Sequence, residues 1–240
     1  MWALTCRPQQ NRILASLPSA DCSRLLPDLE LVSIPIGGEI SVPDTLITHL
    51  YFPVDCVMAR LHQLENGACA KTSVTGNEGM SEISYVLGSE KASARTVALS
   101  GGNAFRIKAP LLKKEFDSGG ALHRLLLRFT HALLVQTEQI AISSQHLTIE
   151  QRLCEFLLMT LDRLPGNELH MTHEQAAILL GVRRESITLA AKKLETAGAI
   201  RYRRGHLTIV NRRELEELAG DNYMLVSKEY ERLHEVPALR

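Results

Sequence analysis

Apolar and polar positions along this chain follow two different periods, and the change between them divides it. From Leu29 to Ile107 the dominant period is two. Leu29–Ile36, Leu46–Phe52, Val57–Leu64, Ala68–Val74, Arg95–Leu99 and Asn103–Ile107 read as strands. Glycine pairs or Gly-Asn words punctuate them at Gly37-Gly38, Gly76-Asn77 and Gly101-Gly102, and Asn66-Gly67 is the strongest short hairpin signal. Short strands closed by glycine turns predict a small antiparallel barrel or roll. Ahead of it, Gln10–Leu17 and Ala20–Leu26 read as short helices stopped by Pro18 and Pro27.

From Gly120 the period becomes helical. Leu122, Leu126, Phe129, Leu133, Gln136 and Ile140 recur at spacings of 4, 3, 4, 3 and 4, which is a heptad seam with one polar member. This seam is assigned to a partner helix, with Leu125, Leu134 and Val135 facing the chain's own roll. Ser143 and Ser144 mark its end. Thr148 then caps a further helix, with Gln151 completing a capping box. Leu153, Phe156, Leu157, Leu161 and Leu164 form its apolar face, and Pro165-Gly166-Asn167 ends it.

Two short helices follow, separated by a glycine. Thr172 and Gln175 form a second capping box, and Ala176, Ala177, Leu179 and Leu180 supply an apolar face. Gly181 permits the positive φ of a sharp turn, and Val182 plugs the angle. The second helix buries Ile187, Ala190, Ala191 and Leu194, and presents Arg183, Arg184, Glu185, Ser186, Thr188 and Lys192 on its other side. This is the pattern of a helix-turn-helix that enters a DNA major groove. Ala199–Arg203 and His206–Val210 alternate as strands around an Arg204-Gly205 turn, a wing carrying Arg201, Arg203 and Arg204. A further helix starts near Asn211 and Glu214, and a last one spans about Tyr223 to Leu233.

Charge changes the picture only when it is located. The chain is neutral, with 27 basic and 27 acidic residues. Residues 171–213 hold nine Lys and Arg against three Asp and Glu, a local balance of +6, and residues 214–240 hold three against seven. The positive charge thus sits on the helix-turn-helix and wing, where phosphates would lie.

The words Gly-x-x-Arg-Glu-Ser-Ile, Leu194-Glu195-x-x-Gly198-x-Ile200 and Gly205-x-Leu207-x-Ile209 resemble the Crp/Fnr family of bacterial transcription regulators. Tyr51-Phe52-Pro53 and Gly76-Asn77-Glu78-Gly79-Met80 resemble the family's cyclic-nucleotide-binding roll more loosely. The resemblance implies an α+β fold: an antiparallel β-roll sensor over residues 1–119, a dimerisation helix over 120–145 and a winged helix-turn-helix over 146–240. It implies that Arg184 and Glu185 meet base edges, with Leu189 standing where relatives often have another arginine. It also implies double-stranded DNA with a two-fold operator, a second copy of the chain, RNA polymerase and a small-molecule effector as partners. The alternative is a ligand- or protein-binding adaptor that no longer reads DNA.

Relatives that bind cyclic AMP use a Gly-Glu pair for the ribose and an Arg-Ser pair for the phosphate. Ungapped counting sets the Glu position on Met80 and the Arg-Ser pair on Ala92-Ser93, so both key side chains are missing. The candidate effector pocket is Glu78, Met80, Ser93 and Arg95, with Arg95 read alternatively as an exposed strand arginine. The resemblance therefore implies an effector other than cyclic AMP, or a scaffold.

Cys6, Cys22, Cys56, Cys69 and Cys154 have no metal or iron–sulfur spacing, and nine scattered histidines form no short ligand cluster. No cofactor or metal is expected. Nothing suggests catalysis, and the glycine turns lack the Lys-Ser/Thr ending of a phosphate-binding loop. An odd cysteine count without a signal peptide, and no apolar run of about 18 residues, point to a cytoplasmic protein.

Overall fold

The computed structural model describes residues 7–65, 67 and 69–234. Cys6, Asn66 of the expected hairpin turn and Ala68 of the expected strand lie outside them.

Two short helices, α1 (Arg12–Ala15) and α2 (Ser19–Leu25), lead into the roll. Asn11 anchors the first. Its carboxamide oxygen caps the backbone of Ile13 and Leu14, while its Nδ2 donates to the carbonyls of Pro53 and Gly79. The roll is built from β1 (Glu30–Ile34), β2 (Glu39–Ser41), β3 (His49–Pro53), β4 (Met58–Gln63), β5 (Cys69–Thr75), β6 (Arg95–Ala98) and β7 (Gly102–Lys108). They form two antiparallel sheets, ordered β1-β7-β3 and β2-β6-β4-β5. Leu50, Phe52, Val57, Leu61, Val74 and Ile107 fill the space between them. Strand β2 escapes sequence reading because three residues carry no period.

Helix α3 (Ala109–Asp117) is also absent from the sequence expectation. Pro110 lies in its first turn, where proline's missing N–H costs nothing. Its Leu112 and Phe116 are buried in the roll core.

Helix α4 (Ala121–His146) runs two residues past the expected stop at Ser144. The seam assigned to a partner turns inward in this chain. Leu122, Leu126, Phe129 and Gln136 are at most 1% exposed, and Leu133 and Ile140 are partly covered. Phe129 sits where a β-carbon on Gly79 would approach its Cε2 to 2.3 Å, so only glycine fits beneath the ring. Gln136 accepts from the Val74 N–H at 2.8 Å and donates to the Val74 carbonyl at 3.3 Å. Strand β5 ends its sheet, so this amide acts as a piece of neighbouring strand. The heptad therefore describes burial against the roll. A 3–4 spacing cannot tell an intrachain groove from a partner helix. Exposed apolar residues remain on another face, at Leu127, Leu134 and Ile142.

Helix α5 (Ile149–Leu161) starts at the Thr148–Gln151 capping box, with both reciprocal bonds made. Strand β8 (Glu168–His170), unread in the sequence, precedes α6 (His173–Leu180), α7 (Arg184–Thr196), β9 (Ile200–Arg203), β10 (His206–Ile209) and α8 (Arg212–His234). Helix α8 is broken at Gly220, where φ is 68° and ψ is −156°, giving the two expected segments. Its second segment packs back on α4. His131 Nε2 lies 3.6 Å from Glu229, and Asn222 donates to the Ser143 hydroxyl at 3.1 Å. No helix of the described residues is long and apolar enough to cross a membrane.

Candidate nucleic-acid interface

The helix pair is set by its caps. Thr172 accepts from the Gln175 N–H at 3.1 Å, and Gln175 Oε1 accepts from the Thr172 N–H at 2.8 Å. Gly181 holds φ 64° and ψ 39°, the left-handed conformation that closes α6 without a β-carbon penalty. Val182 is half-buried in the angle. Ile187, Ala190, Ala191 and Leu194 are all at most 2% exposed, so the inner face of α7 is complete. Its outer face leaves Arg183, Arg184, Glu185, Thr188 and Lys192 exposed and Ser186 half-buried. Leu189 is 64% exposed, an apolar side chain held out in water on this polar face.

The wing is a three-stranded sheet ordered β8-β10-β9. Its tip has φ 49° at Arg204 and 84° at Gly205. Two central residues with positive φ make the tight hairpin whose twist matches the flanking strands. Arg201, Arg203 and Arg204 are exposed there.

Sequence reading missed the link between α7 and the wing. His173 Nδ1 lies 3.1 Å from the Thr188 hydroxyl, which itself donates to the Arg184 carbonyl at 3.1 Å. The His173 ring stacks on Tyr202 of β9 at 4.4 Å. Burial, then the charge of Arg184, holds its pKa below the ordinary histidine value. Glu195 adds a second tie by accepting from the Tyr202 N–H at 2.8 Å. A lone histidine offers no periodic signal for such a role.

Electrostatics separate two groups of cations. Lys193 is paired with Glu150, Arg212 with Asp162 and Glu216, and Arg213 with Glu217. Arg183, Arg184, Lys192, Arg201, Arg203 and Arg204 form no ion pair among the described residues. Six cations without an ion pair are thus gathered on α7, its N-cap and the wing.

The candidate effector residues are not brought together. Glu78 leaves the roll interior and forms a buried ion pair with Arg163 at 2.6 Å, also accepting from the Gly76 N–H. It ties the roll to the end of α5. Arg95 pairs with Glu39 at 2.7 Å on the surface, as its strand position allows. Met80 is buried core, and Ser93 accepts from Arg60 Nη2 at 2.7 Å. The carboxylate inside the roll is Glu82, two residues beyond the position that ungapped counting selected. It takes φ 53° and accepts from Thr96 at 2.5 Å and Ser41 at 2.8 Å, with Arg60 at 3.7 Å. The cavity beside it measures about 30 Å³. That is room for about one water. Among the described residues, no group of three His, Cys, Asp or Glu is placed to hold a metal ion.

A histidine that links helix to wing, an open polar helix face and an arginine-tipped wing define a winged helix-turn-helix joined to a β-roll. Residues 151–218 match the model of the Crp-like helix-turn-helix domain, and the chain as a whole has the fold of Crp/Fnr transcription regulators. FixK2 from Bradyrhizobium japonicum superposes with a TM-score of 0.66 at 18% identity, covering 80% of this chain and 98% of that one. A Crp/Fnr-family regulator from Eubacterium rectale gives 0.64 at 20% identity, covering 87% and 98%. The c-di-GMP responsive global regulator CLP from Xanthomonas campestris gives 0.62 at 16%, covering 80% and 99%. Sequence comparison with curated proteins finds no match.

Proposed function

We propose that the chain is a homodimeric regulator that reads a two-fold symmetric DNA operator and does not respond to cyclic AMP. The observation that carries DNA reading is the set of six cations on α7, its N-cap and the wing that form no ion pair among the described residues. A folded surface that leaves such charge uncompensated is suited to polyphosphate contact. Arg184 and Glu185 open α7, the part of a recognition helix that meets base edges. Leu189 offers an apolar contact suited to a thymine methyl. The dimer reading rests on Leu127 and Leu134, seven residues apart and 46% and 57% exposed on a long helix. The effector reading rests on size: the cavity of about 30 Å³ in the roll is far smaller than a nucleotide.

The test is selection of bound sequences from random duplexes by the full chain. An inverted repeat whose half-sites lie about 34 Å apart is expected. Recovery of no common sequence, with equal affinity for all duplexes, would favour the adaptor reading.

A further inference from the structure

A second cavity, of about 210 Å³, lies where three parts of the molecule meet. Strand β5 contributes Lys71, the end of α4 contributes the wall from Thr137 to Ser144, and the helix-turn-helix side contributes Arg152, Glu155, Leu179 and Leu180. The volume equals roughly seven waters of liquid, at about 30 Å³ each. Lys71 is 6% exposed, and its ammonium lies 5.4 Å from the Phe156 ring centroid. Glu155 is 4% exposed, and its Oε1 is buried with no hydrogen-bond partner. Lys71 and Glu155 form no ion pair with each other, although both line the same space. Arg152 donates to the Leu180 carbonyl, the last residue before the Gly181 turn. Two cations therefore line the same space as one carboxylate, which has a hydrogen bond from Ser143 but whose Oε1 still lacks a donor.

We propose that this joint binds a small hydroxycarboxylate, whose carboxylate lies between Lys71 and Arg152 and whose hydroxyl donates to Glu155. The apolar walls at Leu179 and Leu180 suit a short hydrocarbon body. Burial lowers the pKa of Lys71 to about 8 and lowers that of Arg152, and it raises that of Glu155 against the opposing effects of the Ser143 hydrogen bond and the two cations. Occupancy changes what Arg152 has to bond besides the Leu180 carbonyl, and so how firmly α6 is held against the roll. The proposal rests on the reading of the chain as a regulator only for its consequence on DNA. The binding itself does not.

Calorimetry on the DNA-free full chain tests the site, with 3-hydroxybutyrate as the probe. Butyrate keeps the charge and lacks the donor, and 1,3-butanediol has donors without charge. Saturable binding is expected, at least fivefold tighter for 3-hydroxybutyrate than for butyrate, with none for the diol. Lys71→Met should weaken both acids at least tenfold while leaving the circular dichroism unchanged. Should Lys71→Met not fold, Glu155→Ala gives an independent reading, since it should abolish the difference between the two acids. Failure of either acid to saturate, equal binding of the diol, or an unchanged preference in Glu155→Ala overturns the site. Operator affinity with and without the probe is then measured separately. A bound probe that leaves this affinity unchanged overturns the coupling alone.

Discussion

At the scale of single residues, the proposed DNA reading separates into two kinds of contact. Arg184 lies on α7 next to Glu185, and Arg203 lies on the wing. A base-edge contact carries sequence information, and a phosphate contact does not. Arg184→Ala is therefore expected to cost about 1–3 kcal/mol on the operator and to relax preference at one base pair per half-site. Arg203→Ala should weaken all duplexes alike and reduce the salt slope by about one unit. Binding titrations on specific and random duplexes across salt concentrations give both numbers. Equal losses on both duplexes for Arg184→Ala would remove it from the reading face. Lys71 makes a prediction about pH. Desolvation holds its amine at about 8, against an ordinary 10.5, in the company of Glu155, Arg152 and Arg163. The folded state is penalised wherever it must carry this charge. That penalty is full below about pH 8 and fades towards 10.5, as the unfolded chain loses the proton too. Lys71→Met should thus gain up to about 3 kcal/mol at pH 7, and the gain should shrink by pH 10. Denaturant unfolding at four pH values, compared as variant minus parent, isolates it from the buried thiols of Cys56 and Cys154, whose raised pKa values act in the opposite direction.

At the scale of elements, α4 shows how one side chain joins a helix to a sheet. Gln136 satisfies both backbone groups of Val74 on the free edge of β5. Gln136→Leu keeps the volume and leaves a buried N–H and C=O unpaired. A destabilisation of about 1–3 kcal/mol is expected, read as a lower denaturant midpoint. A polar residue at a partner seam would instead gain stability on becoming leucine, so the sign of the change decides between the two placements. The same logic explains the short elements that periodicity could not register. β2 and β8 are three residues each, and their neighbours β6 and β10 hold them in place.

At the scale of the whole molecule, the roll and the helix-turn-helix half are fastened by charge as well as by core. Glu78 and Arg163 are 4% and 6% exposed and bonded at 2.6 Å. Glu78→Ala strands a buried guanidinium and is expected to cost about 3–5 kcal/mol. The double variant with Arg163→Met should recover much of this loss in thermal unfolding, because no orphan charge remains. Assembly is the second whole-molecule property. Leu127→Glu with Leu134→Glu adds charge to an exposed face, so the fold should survive. Sedimentation should show the parent at twice its chain mass and the variant at one, with operator binding lost in parallel. A parent that sediments as a single chain at micromolar concentration sinks the dimer reading.

The helix-turn-helix unit was legible in the sequence because its determinants are local. Capping boxes at Thr172 and Thr148, the glycine turn at Gly181 and the helical spacing of Ile187, Ala190, Ala191 and Leu194 each act within one or two turns of chain. The alternating strands of the roll declare themselves for the same reason. What only the tertiary structure decided depends on distance in space. The heptad on α4 has one spacing for either neighbour, and the depth of the roll groove settled that Phe129 and Gln136 turn inward. Glu78 and Glu82 are four residues apart in one loop-rich stretch, and a left-handed residue at Glu82 sends one carboxylate to Arg163 and the other into the roll. Counting along the chain cannot follow such a change of direction, because each carboxylate's partner is chosen by desolvation and charge from strands and helices tens of residues away.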